Sequence, residues 1–469
     1  MAQAETVTFP KRFPLIIQPE NRDADTAKDA KLINAYVERE PGQQDPHLYK
    51  RPGLLQTGTT KVGSGFGVYN WLGDIYSIFG ATMYKNGVAL AGTLDTTGGV
   101  YRFSQSLGAT KRMQFGNGVA SYNYDSGAGI VAIPYTDNFP NPPVKGWAYL
   151  DGTTYAMNSD ASVRGCAEIN DPTDWSDILN RLTAQIEADG GVFLAQQLVY
   201  VVALGQWSTE FFYDAQNATA SPLSPVQGAK INFGCANGDS VQDIDGTLFW
   251  LAINRSAAVQ VIMVEQLKPT IVSSKALERI LGAADLSSVY SFGIKYGGHR
   301  FYGITLVNEN LTFVYDAAEK MWAQWTDANG NYWPISSVTY QANVGTILQH
   351  ASSGKLYLLD AAYTSDDGAA ILTDIYTPNF DGGTRRRKQL NILGFLADQT
   401  AGSSLEVRYN DHDYDPAKWS NFRPVDLSVE KPFLENNGSF VRRAYHIRHR
   451  SNTRLRMQGL EMQVDLGTL

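Results

Sequence analysis

The stretch Thr82-Met83-Tyr84-Lys85-Asn86-Gly87-Val88-Ala89-Leu90 decides the fold class. Two short apolar runs flank Asn86-Gly87, a pair that tolerates the positive φ angles of a type I′ turn, so the stretch predicts a tight β-hairpin. The same arrangement recurs along the chain. Asp151-Gly152 sits between Trp147-Ala148-Tyr149-Leu150 and Thr153-Thr154-Tyr155. Asp245-Gly246 precedes Thr247-Leu248-Phe249-Trp250-Leu251, and Ser353-Gly354 precedes Lys355-Leu356-Tyr357-Leu358-Leu359. Each predicts a turn feeding a half-buried strand.

Strands with an aromatic just after a turn glycine occur at Tyr76, Tyr122, Tyr155, Tyr200, Phe249, Phe301 and Tyr357, at intervals of 33 to 56 residues. A four-stranded propeller blade takes ~40–50 residues, so the pattern favours an all-β propeller and leaves six or seven blades open. Helix signals are few. Asp177–Ile186 and Ser274–Leu281 carry apolar residues at helical spacing behind capping residues, and each is predicted as a short helical insertion between strands. The uncharged run Gly190–Thr209 holds Gln196, Gln197 and Gln206, so it reads as two strands and a turn and not as a membrane span.

Composition narrows the class. Of 469 residues, 43 % are apolar, 12 % aromatic and 18 % charged. Charge below the ~25 % average, with many aromatics, excludes a disordered chain and a long coiled coil. Cys166 and Cys235 are too few for a disulfide framework or a thiolate zinc site, and both are read as buried in the core. Met1–Phe13 has no apolar core of signal-peptide length, which predicts a soluble protein made in the cytoplasm without membrane insertion. The net charge of −8 is uneven: residues 384–469 carry +4 and the remainder −12. An acidic body with a mildly basic tail excludes a protein that coats nucleic acid, which needs a dominant basic face to release counterions.

The character of the chain changes near Asp381-Gly382-Gly383. Beyond it, Tyr445 and Ile447 alternate with His446, Arg448 and Arg450, and Leu455 and Met457 alternate with Arg454 and Arg456. Leu460, Met462, Val464 and Leu466 resume the apolar side, with Gly459 shifting the phase as a bulge does. The expected organisation is an extended N-terminal segment (1–60), a propeller body (61–383) and a C-terminal antiparallel β-sandwich (384–469).

No catalytic constellation emerges. Gly63-Ser64-Gly65-Phe66-Gly67 lacks the Lys-Ser/Thr pair and following helix of a phosphate loop. Asp411-His412-Asp413-Tyr414-Asp415 alternates carboxylates as a calcium loop does, but Pro416 and Phe422 stand where such a loop needs Gly and Glu. There is no Gly-x-Ser-x-Gly elbow and no His-Glu-x-x-His pattern, and the six His are dispersed. His446 and His449 sit among arginines, which predicts depressed basicity. The expectation is therefore no catalytic residue, no cofactor and no metal. Two basic clusters remain. Arg385, Arg386, Arg387 and Lys388 form a run, and Arg448, Arg450, Arg454 and Arg456 pair by strand face. They read as a solvated sheet face, as a phosphate-contacting patch, or as an inter-subunit surface against the acidic body, and the −12 on that body favours the last.

Several short motifs, taken in order, resemble a known family. Leu32-Ile33-Asn34-Ala35-Tyr36-Val37-Glu38 followed by His47-Leu48-Tyr49-Lys50-Arg51-Pro52-Gly53-Leu54 is similar to the (I/V)-N-x-Y-x-E … R-P-G-(I/L) opening of the tail nozzle, or packaged-DNA stabilisation, proteins of short-tailed bacteriophages. Ser208–Tyr213, Ala229–Cys235, Asp245–Leu251, Val272–Ile280 and Val314-Tyr315-Asp316 with Trp322 to Trp325 follow in the family's order. Ser273-Ser274-Lys275-Ala276-Leu277-Glu278 stands in place of the family's Ser-Thr-x-x-(L/V)-E. The resemblance spans about 30–360 closely and the tail loosely, and its motifs look structural.

The resemblance implies a six-bladed propeller with an added β domain, assembled as a homohexamer in the virion tail. Such a ring would continue the portal channel below the head-to-tail adaptor ring, meet tail fibre, spike or needle proteins, retain packaged DNA and conduct it on ejection. Contact with double-stranded DNA would be transient and non-specific. An alternative of another class is a carbohydrate-binding or glycan-cleaving propeller of a phage tail. It predicts two carboxylates in the central pocket, with Trp and Tyr stacking on sugars.

Overall fold

The computed structural model describes residues 11–15, 30–39 and 46–467, apart from 136, 137, 185, 188, 218 and 257. The first ten residues, part of the Met1–Phe13 stretch read for a leader, lie outside the described residues. Asn86 and Gly87 have φ of 48° and 82° and join Thr82–Lys85 to Val88–Ala89, as a type I′ hairpin requires. Asp151-Gly152 and Asp245-Gly246 turn the same way, with positive φ at both residues. Ser353-Gly354 instead lies inside a longer loop between Gly345–His350 and Leu356–Asp360.

These hairpins chain into four-stranded antiparallel sheets. Blade one runs from Gly65 to Ala89, blade two from Arg102 to Ala132, blade three from Ala148 to Thr183 and blade four from Gly191 to Pro225. Blade five is built on Thr247–Ile253, blade six spans Val289–Gln324, and blade seven starts at Ile335–Gln341. The six blades implied by the family resemblance are thus corrected to seven among the described residues. The reason is the closing strand. Blade seven takes three strands from 335–360 and its fourth, Gly53–Thr57, from the other end of the chain. Tyr76, Tyr122, Tyr155, Tyr200, Phe249, Phe301 and Tyr357 fall one to a blade.

The ring closes between blades seven and one. Val68 N donates to Ser337 Oγ (3.2 Å) and Asn70 N to Thr339 Oγ1 (3.0 Å). Gln349, fully buried, accepts from Gly67 N (2.6 Å) and donates to Ile78 O (2.8 Å). A buried amide with both ends satisfied fixes the relative height of the two blades.

Gly191–Gln197 and Tyr200–Gly205 form the strand–turn–strand expected of the uncharged run. Ser274 caps the helix Lys275–Ala283, its Oγ accepting from Leu277 N at 3.2 Å. The helix expected over Asp177–Ile186 is absent among the described residues of that stretch: Arg181–Thr183 is the outer strand of blade three. Asp174 and Asp177 side chains accept from Ser176 N and Leu179 N, and such local turns compete with helix. Among the described residues, no helix is long and apolar enough to cross a membrane.

The chain after blade seven forms two facing sheets. One contains Lys388–Ala397 and Arg456–Leu466, with Ala35–Glu38 and His47–Lys50 alongside. The other contains Thr373–Tyr376, Ala444–His449, Ser404–Asn410 and Arg423–Asp426, and continues through Lys31–Ile33 into Met321–Gln324 of blade six. Leu390, Leu393, Phe395, Leu405, Ile447, Met457 and Leu460 fill the space between them. The bulge expected at Gly459 lies one residue away. Leu396 pairs Gly459 and Ala397 pairs Met457, leaving Gln458 as the extra residue. Cys166 and Cys235 are buried free thiols, pushed up to about 11 and about 12 chiefly by burial.

Candidate functional site

The opening motifs meet at one point. Asn34 is fully buried and left-handed (φ 54°), a conformation Asn tolerates better than most residues. Its Oδ1 accepts from Thr326 N (2.8 Å) and Arg51 Nε (2.9 Å), and its Nδ2 donates to Thr326 Oγ1 (2.7 Å) and Leu372 O (2.8 Å). Arg51 forks onto Asp366 at 2.9 and 2.5 Å and donates to Thr326 O at 3.1 Å. Its guanidinium lies 5.8 Å from the Trp325 ring and 5.4 Å from Trp333. A Cβ on Gly53 would stand 2.4 Å from Ser365 O, so no other residue fits there without moving backbone. This junction ties the N-terminal segment to blades six and seven, in keeping with the structural reading of the motifs.

The basic residues are dispersed. Arg385 and Arg387 are exposed, and Arg387 donates to Ser439 Oγ (3.0 Å). Arg386 is half-buried and donates to Gly467 O (2.8 Å). Lys388 is buried, its Nζ donating to the carbonyls of Thr384, Arg386 and Val441. Arg448 and Arg450 share one face and converge on Asp374. Arg450 reaches both carboxylate oxygens (2.9 and 2.8 Å), Arg448 Nε lies at 3.6 Å, and His446 Nε2 at 2.7 Å. Sequence reasoning missed Asp374 because it lies 72 positions before His446. Burial opposes its ionisation, but His446 and Arg450 outweigh that and hold the carboxyl below its ordinary value.

His446 is pushed down to about 4 and His449 to about 3, burial being the largest cause and nearby cations adding to it. The direction is the one expected, but its main cause is not. Arg408 Nε donates to His446 Nδ1 (2.9 Å), which leaves Nε2–H to donate to Asp374. Arg454 and Arg456 are exposed and lie at a separate place, lining a cavity between the tail sheets and blades six and seven.

The carboxylates of 411–415 diverge. Asp411 grips Arg443 (2.7 and 2.9 Å), Asp413 pairs with Arg442 (3.1 Å), and Asp415 accepts from Ala417 N (3.0 Å). Among the described residues no group of three or more His, Cys, Asp or Glu is placed to hold a metal ion.

Among the described residues, two cavities lie between blades of the propeller. One, about 550 Å³, is lined by Tyr69, Phe103, Tyr149, Arg102 and Gln242 among others. Beside it, Lys145 Nζ lies 2.6 Å from Asp239 Oδ2, and Arg102 donates to Asp239 O (2.8 Å). Asp243 and Asp245 line the second, about 730 Å³. Asp243 accepts from Gly246 N (2.7 Å) and its carboxyl is raised, chiefly by burial, while Asp245 is paired with Lys295. Both carboxylates are thus engaged within their own turn or by a cation.

A family model described as Bacteriophage P22 Gp10, beta-propeller, matches residues 24–363. The chain belongs to this phage stabilisation family. The matched span takes in the Asn34 and Arg51 motifs and all seven blades of this phage stabilisation propeller. Membership gives it the role of a structural protein of a phage tail. No curated protein matches its sequence. Among solved structures it is similar to YCF48 bound to D1 peptide, at 14 % identity and TM-score 0.39, covering 69 % of this chain and 98 % of that one. It is also similar to the RRP9 WD40 repeats, at 10 % identity and TM-score 0.41, covering 66 % of this chain and 99 % of that one.

Proposed function

We propose that this tail protein assembles as a homohexameric ring that extends the portal and adaptor channel, retains packaged DNA and conducts it on ejection. The observation that carries the reading is the closed propeller, locked by its own N-terminal strand Gly53–Thr57. Such a body is a rigid wedge with few free strand edges, suited to ring assembly. A ring closed by rotation needs two different complementary patches on each subunit. The −12 carried outside residues 384–469 supplies one, and the exposed Arg385 and Arg387 of the tail supply the other. Six copies carry a strongly negative total, so the ring repels DNA phosphates and lets the duplex slide. In this reading the propeller and the C-terminal β domain act as two parts, and described N-terminal strands join them: Gly53–Thr57 pairs in blade seven, and Ala35–Glu38 and His47–Lys50 lie in a tail sheet. Partners are the adaptor ring above and fibre, spike or needle proteins below, within the virion tail.

Native mass measurement of the chain, alone and with adaptor protein, tests this. A hexamer, or a ring that forms only on the adaptor, supports it. A monomer that cleaves host polysaccharide overturns it in favour of a glycan-acting propeller.

A further inference from the structure

The cavity beside Arg454 and Arg456 measures about 330 Å³, within the ~300–1,000 Å³ of small-ligand sites. It lies where the N-terminal hairpin, the tail and blades six and seven meet. Four cations line it, Lys50, Arg51, Arg454 and Arg456, against one acid, Asp398. Arg51 is already matched by Asp366. The other three are not matched in the same way. Lys50 is buried, yet its Nζ donates to the carbonyls of Ser451 (2.9 Å) and Thr453 (3.3 Å) and not to a carboxylate. Arg456 has Asp398 at 3.8 Å and reaches His47 Nε2 at 3.2 Å, with no carboxylate closer. Arg454 is exposed and lines the cavity together with Tyr296 of blade six.

The Lys50 ammonium is pushed down to about 8 by burial, with Arg51 and Arg450 adding to the effect. Positive charge gathered in a partly desolvated space is costly unless an anion joins it. Guanidinium forks and phenol hydroxyls are the donors that suit phosphate oxygens. Tyr36 and Tyr49, stacked at 5.5 Å, wall the cavity with such phenols.

We propose that this cavity binds a small phosphate-bearing anion, of the size of pyrophosphate, through Arg454, Arg456 and Lys50. The space admits one such group and not a duplex, so the ligand is a free phosphate compound and not the DNA backbone. Ring assembly does not enter the argument, so failure here leaves the proposed tail role untouched.

Titration calorimetry of the full chain with sodium pyrophosphate at fixed ionic strength tests the site. One-to-one binding is expected, weakened about tenfold or more in Arg454→Ser/Arg456→Ser, because each lost charge-assisted bond is a large share of such an affinity. Asp398→Asn removes the acid of the lining and is expected to tighten binding about threefold. Lys418→Ser, at an exposed position outside the cavity, should bind as the parent does. Absence of binding up to ~10 mM overturns the proposal. So does equal affinity in the folded Arg454→Ser/Arg456→Ser variant, or displacement of pyrophosphate by a duplex oligonucleotide. If the double variant does not fold, Asp398→Asn decides alone, and unchanged or weaker binding there overturns the site.

Discussion

Arg51 holds Asp366 with two guanidinium nitrogens across 315 positions of sequence, and the pair anchors the start of the closing strand Gly53–Thr57. Arg51 is buried against Trp325 and Trp333, so its charge depends on Asp366 for compensation. Replacing one partner of a buried pair strands the other, at a cost of ~3–5 kcal/mol. Arg51→Met is therefore expected to lower unfolding stability by about that amount in urea titrations. Arg51→Met/Asp366→Asn should recover part of the loss. A single variant within about 1 kcal/mol of the parent would show that the pair is not what holds blade seven shut.

Gly53 makes a second, steric test of the same closure. A Cβ there meets Ser365 O at 2.4 Å and Tyr363 O at 2.6 Å, both backbone atoms that cannot swing away. Gly53→Ala should cost ~1–3 kcal/mol and expose the closing strand to limited proteolysis between residues 53 and 64. Gly282→Ala is the control. It lies in the helix Lys275–Ala283 with nothing within 4 Å of its Cβ, and it should stabilise by ~0.5–1 kcal/mol. Equal behaviour of the two variants would remove the steric argument.

How much of this was legible in the sequence depends on distance along the chain. Asn86-Gly87 announces its hairpin because the turn chemistry is local. The seventh blade is invisible locally, since its fourth strand, Gly53–Thr57, arrives from the far side of the sequence. Asp177–Ile186 shows helical spacing, but Ile178 and Leu179 are exposed and aspartate turns claim the backbone. The basic tail shows the same limit. Strand alternation puts Arg448 with Arg450, and Arg454 with Arg456, on shared faces. Asp374 claims the first two from a tail-sheet strand that precedes residue 384, while the last two line a cavity whose other walls come from residues 36–52 and from blades six and seven.

Acid should loosen the tail sheets before neutral pH does. His446 and His449 stay neutral in the folded protein down to about 4 and about 3, whereas unfolded His takes up a proton near its ordinary value. Between those limits the unfolded chain binds more protons, so stability is fully present above pH ~6.5 and falls as pH falls. Each such His contributes roughly 1 kcal/mol per pH unit. Asp374, held low by His446 and Arg450, extends the loss further into acid. Urea unfolding at pH 7 and pH 5 reads this out. His449→Gln should flatten the dependence by about one proton, and an unchanged slope would mean that His449 is not buried as a neutral base. His350, pushed down to about 4 in blade seven, keeps the remaining slope from vanishing.

Leu72 gives the opposite kind of test, a substitution expected to improve the protein. With Gly73 it forms the two-residue turn between Gly65–Trp71 and Asp74–Phe79, at φ of 55° and 88°. Asn86 and Asp151 occupy the corresponding first position in two other hairpins, where a short polar side chain lowers the cost of the left-handed conformation. A leucine there bears the steric cost of about 1–2 kcal/mol with no such relief. Its side chain is 53 % exposed, so little burial is lost by replacing it. Leu72→Asn should therefore raise the urea midpoint by an amount equivalent to about 1 kcal/mol, with the slope of the transition unchanged. A lower midpoint would mean that the packing of Leu72 outweighs the strain of its turn, and that this hairpin tip is held by contacts and not by backbone preference.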